Sequence, residues 1–442
     1  MILKVRTKKE IVDFIAAPFS QFAQAEASGG IVLLLFAVLS IATANIPALS
    51  FIHDWWDVTF RIGSDSFYLE KSLLHWINDG LMAIFFLLVG LEIKRELLVG
   101  ELSSIKNAML PIAAAIGGMV IPASIFTLFN YNSIGESGWG IPMATDIAFA
   151  IGIVSLLGSR VSVALKIFLT AFAIVDDLGS IIVLAIFYSG TISWTMLGLA
   201  GAVVVALVTL NLIGVRRPIP YFVLGVFLWF FFLKTGIHAT IAGVVLAFTI
   251  PSRGRFTQEQ FVCVSNYLVD KFGSVRDGDI LTNHQQQEAL QSLDTAIRKM
   301  ESPIHRIEHF ILPWVTFFIM PLFAFANAGV SINSEMLSSL TSNISLGIFL
   351  GLVVGKPFGI LLFSFVAVKM GFANLPSSTT WKQIFAIGCI GGIGFTMSIF
   401  IDSLAFTDSK LVEIGKMAIL VASLAASLLG FYLLSRSCKD VQ

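Results

Sequence analysis

Phe172-Ala173-Ile174-Val175-Asp176-Asp177-Leu178-Gly179 sets two adjacent carboxyl groups in the middle of an apolar run from Ile167 to Phe187. That run is one bilayer core long, since a spanning helix needs about 20 residues. A charge at the membrane centre costs about 2.5–3.5 kcal/mol on insertion scales. A carboxylate there is therefore a candidate functional group, and two in tandem strengthen the reading. Neighbouring helical residues point about 100° apart, so one aspartate can face a pore while the other faces a neighbouring helix. A pair of protonated, hydrogen-bonded packing residues is the plainer alternative.

Composition agrees with a membrane setting. The 442 residues are 56% hydrophobic and 13% charged, with a mean hydropathy of +0.88. This excludes a soluble globular domain and implies an all-α polytopic membrane protein. A net charge of zero gives no indication of a nucleic-acid partner. Cys263, Cys389 and Cys438 are odd in number and scattered, with neither metal-ligand spacing nor a disulfide framework. Trp76, Trp139, Trp194 and Trp381 stand near segment ends, as an aromatic belt in contact with membrane lipid places them. Ala42-Thr43-Ala44 imitates a cleavage site, but the charged leader before it is too long for a signal peptide, so a retained first helix is expected.

Hydropathy gives about 12 transmembrane spans: eight in 30–250 and four in 303–434, with a short pair at 219–233 and 236–250. Residues 1–29 form an N-terminal segment, 251–302 an insert and 435–442 a tail. Lys and Arg alternate between connections. Lys4, Arg6, Lys8 and Lys9 fall on one side with Lys94, Arg95, Arg216, Arg217, the insert (including Arg276), Arg436 and Lys439. The opposite connections are poor in them. The positive-inside rule puts both termini and the insert in the cytoplasm. Val58–Ile62 and Ser66–Leu69 read as two strands around Gly63-Ser64-Asp65, an external hairpin at about 58–69 with an edge open to a second copy. In the insert, Ala289, Leu290, Leu293, Ile297 and Met300 recur at helical spacing, and Asp294 and Arg298 are four apart. An amphipathic helix is expected there.

Other polar groups share the membrane with the aspartates. Thr145 and Asp146 follow Pro142 inside a span, where proline removes a backbone hydrogen bond. Gly391, Gly392 and Gly394 interrupt a late span. Both places read as broken helices, tolerated at membrane depth only inside protein or beside a water-filled cavity. Lys356 is a lone cation deep in its span and wants a carboxylate, from Asp146, Asp176 or Asp177. Asp79, Glu92 and His238 have no evident chemical role. Carboxylates, a threonine hydroxyl and freed carbonyls suit a hard cation such as Na⁺, and the absence of a His or Cys cluster argues against a transition metal. Adjacent buried carboxyls titrate as a coupled group. A site that binds either protons or a cation, and faces each side in turn, produces exchange by competition alone.

The chain resembles the bacterial NhaA-type Na⁺/H⁺ antiporters. The motifs that carry the likeness are Gly138-Trp139-Gly140-Ile141-Pro142 leading into Ala144–Ala150, Leu157-Gly158-Ser159-Arg160, Ala173–Gly179, Leu322–Val330, Gly355-Lys356-Pro357 and Gly392–Phe400. The resemblance implies inverted repeats and two interrupted helices crossing near the midplane, a binding-site layout whose general rule draws in part on this same family. It implies Asp177 as main cation ligand, with Asp176 its partner in proton exchange, paired to Lys356. It puts Thr145 and Asp146 at the crossing, with Asp146 and Lys356 offsetting helix-end dipoles. Electrogenic exchange without a cofactor, an inner-membrane location and a homodimer through the hairpin are further implications. So is a pH-sensing cluster of Glu92, Glu96, Glu308 and His309. Leu312 stands where the family pattern can carry another histidine. A sodium-coupled solute symporter and an intramembrane aspartyl protease are the competing readings.

Overall fold

The computed structural model describes residues 28–49, 51–64, 67–273, 283–377 and 379–438. Lys4, Arg6, Lys8, Lys9, Asp65, Ser66, Arg276 and Lys439 lie outside them, as does most of the 1–29 segment and half of the 435–442 tail.

In hydrocarbon every backbone N–H and C=O must be satisfied within its own segment, which leaves helices as the available solution for these apolar runs. Among the described residues, all regular structure except one hairpin is helical. Ten helices among the described residues are long and apolar enough to span a membrane: α1 (Ser28–Asn45), α3 (Leu73–Val99), α4 (Ile105–Asn130), the Glu136–Leu156 span, α6 (Val163–Phe187), α7 (Trp194–Leu212), α8 (Pro218–Thr235), α12 (Pro303–Asn327), α13 (Asn343–Lys369) and α16 (Ser409–Ser437). The pair α14 (Trp381–Gly391) and α15 (Phe395–Ala405), bent by 48° at its break, makes an eleventh. Within the expected span 236–250, the helix α9 (Ile241–Thr249) covers 9 residues, too few to be counted with these by length. Hydropathy counts that stretch as a span because Ile237 and Ala239 extend the apolar run, but residues 237–240 are not helical.

The chain forms two compact units. The first comprises Met1–Leu81, Val99–Tyr188 and Thr316–Gln442, the second Met82–Leu98 and Ser189–Val315. In the first, α4 and α13 are packed backbone to backbone. A Cβ on Gly117 would run into the Gly359 carbonyl, and one on Gly359 into that of Gly117. Small residues permit such an approach where packing alone drives association. Gly359→Ala is therefore expected to cost about 1–3 kcal/mol by overpacking, read as a lowered thermal midpoint in detergent. Gly198→Ala, at a position with nothing within 4 Å, should leave the midpoint unchanged.

Two spans contain π-helical turns followed by proline: Val315–Ile319 before Pro321, and Gly351–Gly355 before Pro357. Proline has no N–H and clashes with the carbonyl four residues back. Those carbonyls belong to Phe317 and Val353, inside the widened turns. The second widening sets the rotation at which Lys356 enters the fold.

After the short helix α2 (Phe51–Asp57), the hairpin pairs β1 (Thr59–Ser64) with β2 (Phe67–Ser72), in a register from Thr59↔Ser72 to Ser64↔Phe67. In the second unit, the 251–302 insert contains the helices α10 (Gln258–Gly273) and α11 (His284–Met300), which pack together. Asn283 caps α11 through Gln285 and Gln286, so the helix starts before the apolar spacing does. Asp294 and Arg298 pair at 2.8 Å. The buried face is Gln286, Ala289 and Ala296, while Leu290 and Ile297 are about half exposed. The expected stripe is thus divided between α10 and the surface.

Candidate functional site

The aspartate pair lies midway along α6, whose N-terminus is capped by Ser162. Asp176 is 0% exposed and Asp177 2%. Lys356, also 0% exposed, donates to Asp176 Oδ2 at 2.8 Å and to the Met143 carbonyl. It also acts electrostatically on Asp177. Of the three acids that could have taken this lysine, Asp176 holds it directly.

The two helix breaks lie against each other. The first span runs as a 3₁₀-helix, Glu136–Met143, then as extended backbone over 144–146, then as α5 (Ile147–Leu156). The second is the α14–α15 break at 392–394. The Asp146 N–H donates to the Ile393 carbonyl at 2.7 Å, the Thr145 hydroxyl to the Gly391 carbonyl at 2.9 Å and the Ser398 hydroxyl to the Ile141 carbonyl at 2.8 Å. These bonds satisfy carbonyls that a broken helix leaves without an internal partner.

Charge sits where the broken ends need it. Asp146 is the N-cap of α5 and accepts from the Phe149 N–H at 3.0 Å. Its other oxygen accepts from the Thr396 N–H at 3.2 Å and from the Thr396 hydroxyl, in the first turn of α15. One carboxylate thus serves two helix N-termini, where backbone dipoles favour negative charge. Lys356 does the converse at Met143, the last residue of the 3₁₀-helix, where cations are favoured. Thr145 is fully buried and also interacts with Asp176. Asp146, Thr145, Asp176, Asp177 and Lys356 therefore share one buried region of the first unit. Thr396 and the carbonyls of Met143, Gly391 and Ile393 complete it. The sequence reading named Gly391 only as part of the break and gave Thr396, Met143 and Ile393 no role. The signal for Thr396 was its place in the first turn after the glycine break.

Glu92, Glu96 and Glu308 gather in the second unit around Arg95. Arg95 contacts Glu308 directly and Glu96 at 3.6 Å. Glu92 feels Glu308, Arg95 and Glu96. His309 is exposed and stacks on His305, ring centroids 6.2 Å apart. The histidine faces the surface while its neighbour Glu308 is turned inward (7% exposed), since successive helical residues point about 100° apart. Lys94 donates to the carbonyls of Phe248 at 2.7 Å and Ile250, capping the C-terminal end of α9.

Comparison with known proteins identifies relatives along nearly the whole chain. The family model described as Na⁺/H⁺ antiporter 1 matches residues 20–434. A protein of Oleidesulfovibrio alaskensis named Na(+)/H(+) antiporter NhaA is 47% identical over 425 residues, covering 96% of this chain and 94% of its own length. Its namesake in Sulfurimonas denitrificans is 49% identical over 420 residues, covering 94% and 95%. The one in Escherichia coli strain UTI89 is 46% identical over 415 residues, covering 93% and 96%. With a multi-pass helical architecture and a family match over nearly its whole length, the chain belongs to the Na⁺/H⁺ antiporter 1 family.

Proposed function

We propose that the chain is an electrogenic Na⁺(Li⁺)/H⁺ antiporter, a secondary transporter that needs no cofactor. It exports sodium across the bacterial inner membrane, with both termini cytoplasmic, and works as a homodimer through the 59–72 hairpin. The observation that carries the reading is the buried Asp176–Lys356 contact beside Asp177, next to two helix breaks bonded to each other.

Asp177 is the main cation ligand, with Asp176 beside it. Oxygen ligands suit the hard cations. When protons leave the pair, a cation takes their place; when protons return, the cation is expelled. Lys356 is positioned to neutralise Asp176 while the cation is absent. The half-helices around Asp146 cross near the midplane and carry the site between the two faces in alternating access. More protons than cations move per cycle, which makes the exchange electrogenic. Asp146 engages both of its oxygens with Phe149 and Thr396, which disfavours a proton-sharing dyad of the aspartyl-protease kind.

The competition has a measurable signature. For each proton displaced, the apparent KM for Na⁺ should rise about tenfold for every pH unit by which the pH is lowered on the acidic side of the titration. Sodium-driven proton flux in proteoliposomes across a pH series reads this directly. A KM independent of pH would remove competition from the account.

Glu92, Glu96, Glu308 and His309 set the pH at which exchange switches on. Arg95→Gln takes away the cation that opposes three carboxyls. The half-activation pH is expected to move to more alkaline values, with maximal turnover unchanged. The same flux assay, run as a pH profile, checks this, and an unmoved profile would separate the cluster from pH control.

A further inference from the structure

α15 carries an acid that the exchange site does not use. Asp402 is 0% exposed, and among the described residues neither of its carboxylate oxygens has a hydrogen-bond partner. It follows Thr396 by six residues, roughly 9 Å along the helix axis. Facing it on α16 is Gly415, where a Cβ would run into Asp402 Oδ1. The absence of a side chain at 415 is what makes room for this carboxyl. Lys416, the next residue, is the charged group that acts on Asp402. Lys416 in turn feels Asp402 first and Glu413 second, and Glu413 is exposed.

The pairing has a register. At the start of α15, the Phe395 N–H donates to Ser423 Oγ on α16 at 3.1 Å. Counting antiparallel from that contact, Asp402 falls opposite Lys416. The two helices thus meet at one polar point beside the break and at a second one near the far end of α15. A buried carboxylate without compensation is strongly disfavoured, and Lys416 is the group in place to compensate it. The lysine makes no direct ion pair with Asp402 in this conformation. A flexible four-carbon stem lets it close that gap.

We propose that buried Asp402 and half-buried Lys416 form a second acid–base pair, distinct from Asp176–Lys356, that fixes α15 against α16 and so positions the Thr396 donors on Asp146. The transport consequence rests on the exchange function proposed above. The pair itself does not.

A double-mutant cycle on the full-length protein tests this. Asp402→Asn, Lys416→Met and the double variant are compared for thermal midpoint in detergent and for the sodium dependence of exchange in proteoliposomes. Coupled neighbours show non-additive effects. Each single variant should lower the midpoint and raise the KM for Na⁺ by about tenfold, with kcat changed by less than about twofold, a split that general loosening of the fold would not give. The double variant should return to within about threefold of the wild-type KM, because neither charge is left alone. Additive defects, or single variants that behave as wild type, would overturn the pairing. Glu413→Gln should leave both readouts unmoved; if it reproduces the Asp402→Asn defect, the lysine's partner is Glu413 and the proposal fails. A single variant that does not fold while the double one does is the same coupling at its strongest, and a double variant that also fails to fold counts against it. Should the wild type show no sodium exchange, the function is wrong, and the thermal cycle still decides the pair.

Discussion

Asp177→Asn is expected to abolish sodium-driven proton flux while the protein still inserts and folds. Asparagine keeps the size of the side chain and one oxygen but removes the charge a hard cation needs. Loss of one charged partner at a buried site is worth about 3–5 kcal/mol, or roughly 10²–10³-fold in cation affinity. The direct contact of Lys356 is with Asp176, so the buried ion pair survives the substitution. The thermal midpoint should accordingly stay within a few degrees of wild type. Exchange at the wild-type rate would take the cation away from Asp177.

Lys356→Ala is expected to act first on stability. It leaves Asp176 ionisable and unpaired in a fully buried position, and it strips the Met143 carbonyl of its donor. Breaking a buried pair by removing one partner costs about 3–5 kcal/mol, which corresponds to a midpoint lowered by on the order of 10 °C. Adding Asp176→Asn should recover part of that loss, because no charge is then left alone. Exchange should not recover with it, since the proton-carrying carboxyl is gone. Thermal unfolding of the two variants in detergent separates these effects. A single variant as stable as wild type would mean that the ammonium contributes nothing to the fold.

Much of this was legible because hydrocarbon makes polar residues conspicuous. Asp176 and Asp177 stand out in a run of otherwise apolar side chains, and Lys356 does so in its own. Pro142 and the glycines at 391, 392 and 394 mark the breaks for the same reason that they cause them. Which acid would hold Lys356 was implied by the family resemblance, as Asp176, and was not legible from the residues alone. Asp146, Asp176 and Asp177 are equal candidates by composition, and the choice is made by packing: the widened turn before Pro357 and the Gly117–Gly359 approach set where the ammonium arrives. Hydropathy also gives no helix bounds within 236–250, where the helix covers Ile241–Thr249, since an apolar run reads the same whether or not it is helical throughout. Asp402 escaped notice for a related reason. It lies close enough to the end of its span to pass for an interface charge, and only the contact with Gly415 reveals it as buried.

The most direct test of the central claim is made in proteoliposomes carrying an imposed pH gradient reported by a pH-sensitive dye. Na⁺, Li⁺ or K⁺ is added over a range of pH, to wild type and to Asp177→Asn. The account predicts collapse of the gradient by Na⁺ and Li⁺, none by K⁺, and none by any cation in the variant. A wild-type gradient that survives Na⁺ at every pH, or an Asp177→Asn protein that dissipates it as fast as wild type, would contradict the account.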